Sequence, residues 1–317
     1  MSQSAIVRWS NPETILVATN LLEGQTLVLH AIYQARLSRA AVLLVHVIRP
    51  SRLIAGTHEG APSILPGSAV QAVKSKLDET AEEFRRAGIL CEPIVLTGSP
   101  AEQIVRLVKT RTVDRVIAAT RYASGVARLV EPSVAEELIA TLNVPVCIIG
   151  RRAHSETEFG TPLDRVLLAT SFDRGSSLLG RFASTLAEIN DAQLTLIHVL
   201  DTQGVSKQQR EMERLVARQM LSSLVPAEAR HRNKPVLLIR EGDPATIILE
   251  EAGSLPHDVV ILGSSHSSMV SRLLADSVVH RVVIESQCPV ITIKSSSLSS
   301  LEEVHESTSS EVMSAHS

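Results

Sequence analysis

The chain of 317 residues is long enough for two domains of ordinary size, and its 44% hydrophobic residues can fill two cores. A net charge of −3 and 2% aromatic residues offer neither a basic surface for a nucleic-acid backbone nor rings for base stacking, which argues against nucleic acid as a partner. No apolar run approaches the roughly 18 residues of a membrane span, and residues 1–13 lack the pattern of a signal peptide. We therefore expect a cytoplasmic protein without a membrane span.

Four short stretches of the first half return in the second half in the same order. Residues 15–20 (ILVATN) return as 166–171 (VLLATS), 43–48 (LLVHVI) as 194–200 (LTLIHVL), 98–101 (GSPA) as 242–245 (GDPA), and 144–149 (VPVCII) as 288–293 (CPVITI). Four stretches in one order make chance a poor explanation. The sequence therefore predicts two copies of one domain.

Within each half, short apolar runs alternate with segments of helical period. Val70, Val73, Leu77, Ala81 and Phe84 recur every three or four positions and predict a helix packed on a sheet. The strand-like runs are apolar throughout, which is typical of parallel strands covered on both faces. The predicted fold class is α/β, with two tandem five-stranded parallel doubly wound (Rossmann-like) domains.

The helix that follows the third strand of each copy has a recognisable start. Ser99 and Glu102 have the spacing of a capping box, and Pro100 stands at the first helical position, where no N–H is needed. Asp243 and Pro244 predict the same start in the second copy.

Composition suggests where the domains end. We expect a first domain at 1–150, a linker at 151–162, a second domain at 163–294 and a disordered Ser-rich tail at 295–317. Residues 50–67, rich in glycine, proline and serine, predict a mobile surface loop in the first domain.

Cysteines and histidines give no pattern of a metal site. Cys91, Cys147 and Cys288 lie far apart in or beside apolar runs, which predicts buried small hydrophobes rather than disulfides or ligands. An alternative, that His266 and Asp276 converge with His280 on a metal, rests on the spacing of four between the last two. We expect no metal.

The ordered set of stretches, present twice, resembles the universal stress protein family in a tandem two-domain form. The resemblance covers the chain except for residues 50–67, the linker and the tail. In single-domain relatives, a last strand at the sheet edge pairs across a two-fold axis. The apolar edges at 144–149 and 290–293 should therefore cover each other within this chain. A further homodimer and protein partners are compatible with the family.

Relatives that bind ATP carry G-x-x-G, nine residues and then G-S or G-T, because glycine lets backbone N–H groups approach phosphate. The matching positions are Gly263, His266, Asp276 and Ser277 in the second copy, and Ala119, Tyr122, Pro132 and Ser133 in the first. Tyr122 and Pro132 add bulk, which argues against triphosphate in the first copy. Asp276 places a carboxylate where phosphate should lie, which predicts weakened binding in the second.

The ribose and base positions have also changed. Relatives that bind ATP tend to carry an aspartate after the first strand, where this chain has Asn20 and Ser171. One neutral hydrogen bond contributes only about 1 kcal/mol. Val47 and Val199 stand where the family offers backbone to the base, which any side chain allows.

The resemblance thus implies a non-enzymatic stress-response module with weak or lost ATP or AMP binding, Mg²⁺ accompanying the nucleotide. Any retained site should lie in the second domain, at Ala169, Thr170, Ser171, Val199, Gly263, His266, Ser277 and Val278. His46 and His198 are better explained as strand-end residues bonded to backbone than as ligands or bases.

Three alternatives remain open. Gly263, Ser265 and Ser267 nearly form a G-x-S-x-G nucleophile elbow, but the last glycine is missing, and Asp276 and His280 are too close in sequence to be separate arms of a triad. Slow ATP hydrolysis is credited to some relatives. A non-nucleotide small molecule or a lipid would suit a first pocket made more apolar by Tyr122 and Pro132.

Overall fold

The computed structural model describes most of the chain. The described residues are 2–21, 25–49, 67–120, 133–153, 163–173, 175–201, 206–227, 229, 234–254, 258–264 and 277–294. Most of the predicted loop 50–67, most of the predicted linker 151–162 and all of the predicted tail 295–317 lie outside these residues. So do the predictions for His266, Asp276, Tyr122 and Pro132.

Each half alternates strands with helices. The first half contains α1 (Ser2–Ser10), β1 (Thr14–Ala18), α2 (Gln25–Ser38), β2 (Ala41–Ile48), α3 (Gly67–Arg86), β3 (Cys91–Thr97), α4 (Pro100–Thr110), β4 (Arg115–Ala119), α5 (Val134–Thr141) and β5 (Val146–Ile149). The second contains β6 (Arg165–Ala169), α6 (Ser176–Asn190), β7 (Gln193–Leu200), α7 (Lys207–Leu224), β8 (Val236–Glu241), α8 (Pro244–Ser254), β9 (Val259–Ser264), α9 (Val278–Glu285) and β10 (Val290–Lys294).

The strands form one ten-stranded sheet in the order β3-β2-β1-β4-β5-β10-β9-β6-β7-β8. Within each half the five strands are parallel, so the predicted fold class is confirmed. The halves join through β5 and β10, which are antiparallel and pair Val290 with Ile148 and Ile291 with Cys147. The two apolar edges therefore cover each other as predicted.

Burial on both sheet faces explains the unbroken apolar runs. Ile15, Leu16 and Val17 of β1 are all 0% exposed, although successive residues point to opposite faces. Helices α2, α3, α6 and α7 contribute buried side chains to one cluster, while α4, α5, α8 and α9 contribute to the other. The predicted helical face of α3 is confirmed, with Leu77, Ala81 and Phe84 buried.

The helix starts agree with the sequence only in part. Pro100 is at the start of α4, but Ser99 makes no side-chain cap hydrogen bond, so the predicted capping box is wrong. Ser99 is exposed, and water can satisfy the first amides of α4 there. Asp243 does cap α8, since its Oδ2 accepts from the Thr246 amide at 2.9 Å.

The cysteines follow the prediction. Cys91, Cys147 and Cys288 are buried free thiols. Burial raises the pKa of Cys91 and of Cys288 to about 11, which keeps both as thiols at neutral pH.

The N-terminal helix α1 is a feature that the sequence did not predict. It packs against α6 of the second half, and the Ser10 hydroxyl donates to the Phe182 carbonyl at 3.3 Å. Its Trp9 carbonyl accepts from Arg115 Nη2 at 2.6 Å. Helix α1 therefore ties the two halves together. None of the described helices combines the length and apolar character needed to cross a bilayer.

A polar contact also crosses the junction between α5 and α9. His280 Nε2 lies 2.8 Å from Glu136 Oε1, and the two residues occupy the same position in equivalent helices, three after the capping Ser277 and Ser133. The hydrogen bond from His280 is the main cause that lowers the pKa of Glu136. The N-terminal turns of α5 and α9 therefore meet at the junction.

Candidate functional site

The carboxyl ends of β6, β7 and β9 form the edge at which the sequence places a ligand. Strand β6 lies between β7 and β9, with Ala169 paired to Ile197 on one side and Leu262 on the other. The chain leaves β6 toward β7 and returns on the other side at β9. Such a reversal of strand order leaves a crevice at the carboxyl ends, where open α/β sheets bind ligands.

The structure brings most of the predicted site residues to this edge. Ala169 ends β6, Thr170 and Ser171 follow it, and Val199 and Gly263 lie near the ends of β7 and β9. Ser277 caps α9, and Val278 is the first residue of that helix. His266 lies outside the described residues.

A threonine turn fixes the backbone after β6. The Thr170 amide donates to the Ile197 carbonyl at 3.1 Å, and the Thr170 Oγ1 accepts from the Phe172 amide at 3.2 Å. Phe172 has a φ of 60°, a left-handed conformation that a residue of this size adopts only when its surroundings hold it. The turn leaves Ser171 exposed at the edge.

His198 supports this turn from the neighbouring strand. Its Nδ1 lies 2.8 Å from the Thr170 carbonyl, and its ring centroid is 4.2 Å from that of Phe172. His46 Nδ1 lies 2.9 Å from the Thr19 carbonyl in the same way. The interpretation of both histidines as strand-end residues bonded to backbone is confirmed.

The first half repeats the same turn with different side chains. The Thr19 amide donates to the Val45 carbonyl at 2.9 Å, the Leu21 amide donates to Thr19 Oγ1 at 2.9 Å, and Leu21 has a φ of 66°. Leu21 thus takes the place of Phe172. The stretches ATN and ATS recur in the sequence at the end of the first strand of each copy, but they do not indicate the turn or the hydroxyl that closes it.

The first turn of helix α9 lies at the same edge of the sheet. The Ser277 Oγ accepts from the His280 amide at 3.1 Å, so this hydroxyl is already used as a cap. A helix leaves its first N–H groups without intrahelical partners, and their partial positive charge attracts anions. Val278, the first residue of α9, therefore has its backbone N–H, rather than a polar side chain, at this edge.

Two polar side chains near the site were not singled out in the sequence. Asp173 Oδ1 accepts from Ser176 Oγ at 3.1 Å, two residues after Ser171. Ser264, at the end of β9, is 9% exposed, and its Oγ has no partner among the described residues. Because serine is common in this chain, the sequence does not distinguish Ser264, and its buried position at the carboxyl end of β9 is known only from the fold.

Asp243 links the start of α8 to α9. Its Oδ2 accepts from Thr246 Oγ1 at 2.6 Å and from Arg281 Nη1 at 2.7 Å. The bonds from Thr246, followed by the one from Arg281, lower the pKa of Asp243 to about 2. The negative charge of Asp243 thus stabilises the folded state.

We predict that this stabilisation depends on pH. A native pKa of about 2 lies below the roughly 3.9 of an unfolded aspartate, so the contribution is complete above about pH 5 and lost as pH falls toward 2. The difference in Tm between wild type and Asp243→Asn should be constant from pH 5 to 7 and shrink below about pH 4. Thermal unfolding across pH measures it. Ser99→Ala, at the uncapped equivalent position, should show no such pH dependence; a constant Asp243 difference down to pH 3 would contradict the assignment.

Comparisons with known proteins agree with the doubled architecture. The model of the universal stress protein family matches residues 12–150 and again residues 162–294. The chain belongs to the universal stress protein family. A curated relative, universal stress protein MJ0531 of Methanocaldococcus jannaschii, is 28% identical over 124 residues, which are 38% of this chain and 71% of that protein.

Solved structures match this universal stress protein over both halves. A universal stress protein from Archaeoglobus fulgidus DSM 4304 covers 89% of this chain and 96% of its own, at a TM-score of 0.66 and 21% identity. A putative universal stress protein from Pseudomonas aeruginosa UCBPP-PA14 covers 93% and 98%, at a TM-score of 0.60 and 18% identity. At these identities the likeness concerns the fold.

Proposed function

We propose that this universal stress protein is a non-enzymatic stress-response module that binds AMP, or ATP with Mg²⁺, weakly and in its second repeat alone. The observation that carries the proposal is the position of Gly263. It is the next-to-last residue of β9 and follows Leu262, which pairs with Ala169 of β6 at the reversal of strand order, where bare backbone can approach a ligand. The equivalent residue of the first repeat is Ala119.

The polar groups at this edge support weak binding. Ser171 is neutral and exposed, and the Ser277 hydroxyl already accepts the His280 amide. A nucleotide would gain mainly backbone N–H groups of α9 and a neutral hydroxyl, each contributing about 1 kcal/mol. So few contacts do not support tight binding, and we expect a Kd of about 1 mM, which corresponds to about −4.1 kcal/mol.

The same groups support a binding role rather than catalysis. General acid–base chemistry needs a titratable side chain that can reach the reacting atoms. His198 gives its Nδ1 to the Thr170 carbonyl and packs its ring on Phe172, which makes it a support for the turn. Thr170 and Ser176 hydrogen-bond to each other at 3.1 Å.

Calorimetry with AMP and with ATP, with and without Mg²⁺, tests the proposal on the full chain. Gly263→Val should abolish nucleotide binding, because its side chain would stand at the strand end. Ala119→Val, the matched change in the first repeat, should leave binding as in wild type. Sub-micromolar ATP affinity, equal losses in both variants, or ADP accumulating at a rate that Gly263→Val removes would each overturn the proposal.

A further inference from the structure

A cavity of about 410 Å³ lies between the two repeats, over the centre of the sheet. Helix α2 of the first repeat and α6 of the second form its sides, and Ile291 of β10 lies in its floor. None of the residues predicted for the nucleotide site lines it. Inter-domain cavities of this size are frequent sites for small ligands.

The two walls of the cavity differ in chemistry, although the repeats are equivalent in fold. Arg115 and Val259 are the first residues of the equivalent strands β4 and β9. Gln34 and Leu186 both lie six residues before Ala40 and Ala192, which precede the second strands. The first repeat thus presents a cation and an amide where the second presents hydrocarbon. The fold itself does not demand this polar wall.

Arg115 is a buried cation with spare hydrogen-bonding capacity. It is 4% exposed; its Nη1 donates to Gln34 Oε1 at 3.1 Å and its Nη2 to the Trp9 carbonyl, while Nε, itself buried, has no partner among the described residues. The adjacent Asp114 forms its ion pair with Arg8 at 2.6 Å. No described carboxylate forms an ion pair with Arg115 itself.

A buried guanidinium whose hydrogen bonds go to neutral acceptors is costly, and although the charge of Asp114 favours it, an anion would offset more of that cost. Arginine is suited to carboxylate because its N–H groups form a planar fork. Asp258 also lines the cavity, but its Oδ2 accepts the Asp164 and Arg165 amides at 2.7 and 2.8 Å. Burial, followed by the charge of Asp258, raises the pKa of Tyr33, so this lining phenol remains a hydrogen-bond donor.

We propose that this cavity binds a small amphiphilic organic acid, with its carboxylate on Arg115 and its apolar body against Leu186, Ile189 and Ile291. Ile189 lines the cavity and is 46% exposed, which places it where the cavity meets solvent. The ligand enters between the ends of α2 and α6. This site is independent of the nucleotide site.

Octanoate and 3-phenylpropanoate, each compared with the alcohol of the same carbon skeleton, are suitable probes. Trp9 is the single tryptophan of the chain, and its carbonyl bonds to Arg115, so its fluorescence reports occupancy. Calorimetry on the full chain gives the affinities. At least one acid should bind tenfold or more tighter than its alcohol. Equal binding of acid and alcohol, or no binding of either acid at 10 mM (about −2.7 kcal/mol), would overturn the proposal.

Variants locate the site. Ile189→Glu should weaken binding of the acids at least threefold and Ile189→Lys should strengthen it, while the alcohols change little; both changes are at an exposed position and should fold. Arg115→Val, which copies the second repeat, should remove the preference for the acids. Unchanged acid binding in the Ile189 pair or in folded Arg115→Val would contradict the assignment. AMP titrations of the same variants should match wild type, which separates this test from that of the nucleotide site.

Discussion

Replacing Asp276 by glycine is expected to raise the affinity of the second repeat for ATP at least tenfold, and to raise its affinity for AMP less. The resemblance aligns Asp276 with a glycine of the phosphate loop, although the residue lies outside the described part of the chain. Like charges about 4 Å apart repel by about 1 kcal/mol in water and about 4 kcal/mol at the effective dielectric of a protein surface. Since about 1.4 kcal/mol is a factor of ten, calorimetry will detect the change.

One further variant separates charge from size, and another is a matched control in the first repeat. Asp276→Asn removes the charge and keeps the side chain, so it should recover most of the gain in ATP affinity. Pro132→Gly, at the equivalent position of the first repeat, should add no second site because Tyr122 remains. If ATP and AMP gain equally, or if neither gains, the carboxylate is not what weakens binding.

The fold follows from local patterns that the sequence repeats. Strands such as β1 are apolar on both faces because helices cover both faces of the sheet. Burial therefore favours an apolar residue at successive positions of the strand. The edges 144–149 and 290–293 were predicted to pair because an exposed apolar edge is unstable in solution. That each copy is a parallel five-stranded sheet could therefore be predicted without coordinates.

Apart from this strand pairing, contacts between distant segments could not be predicted in this way. Helix α1 packs on α6 through residues such as Ser10 and Phe182, which lie 172 positions apart. The capping box was predicted at Ser99, where it is absent, and it occurs at Ser133 with Glu136, where both bonds are made. Spacing alone does not distinguish the two, because orientation and exposure of the cap decide the outcome.

The candidate site likewise contains residues that could be predicted from the sequence and residues that could not. Ala169, Val199 and Gly263 could be named from the resemblance to the family, and the fold brings them to one edge because the carboxyl ends of neighbouring parallel strands meet there. Ser264 and the hydroxyl of Thr170 could not, because their importance depends on which groups face them in the fold. The inter-domain cavity was missed altogether, since its walls come from helices of different repeats.

Replacing Val290 by aspartate is expected to lower the free energy of unfolding by about 4 kcal/mol or more. Val290 is 0% exposed and pairs with Ile148 of the first repeat and Val260 of the second. A carboxylate at this position would be buried among apolar side chains at the junction of the two repeats. The same change at Val236, which is 42% exposed on the edge strand β8, should cost less than about 1 kcal/mol.

Urea unfolding followed by far-UV circular dichroism and by Trp9 fluorescence measures both the loss and the coupling of the repeats. Trp9 belongs to the first repeat, but α1 packs on α6 and β5 pairs with β10. In Val290→Asp, the midpoint of the Trp9 fluorescence transition should therefore move to a lower urea concentration together with the midpoint of the circular dichroism transition. A Trp9 transition that stays at the wild-type midpoint while half of the dichroism is lost would show that the repeats unfold independently, and that the shared sheet does not couple them.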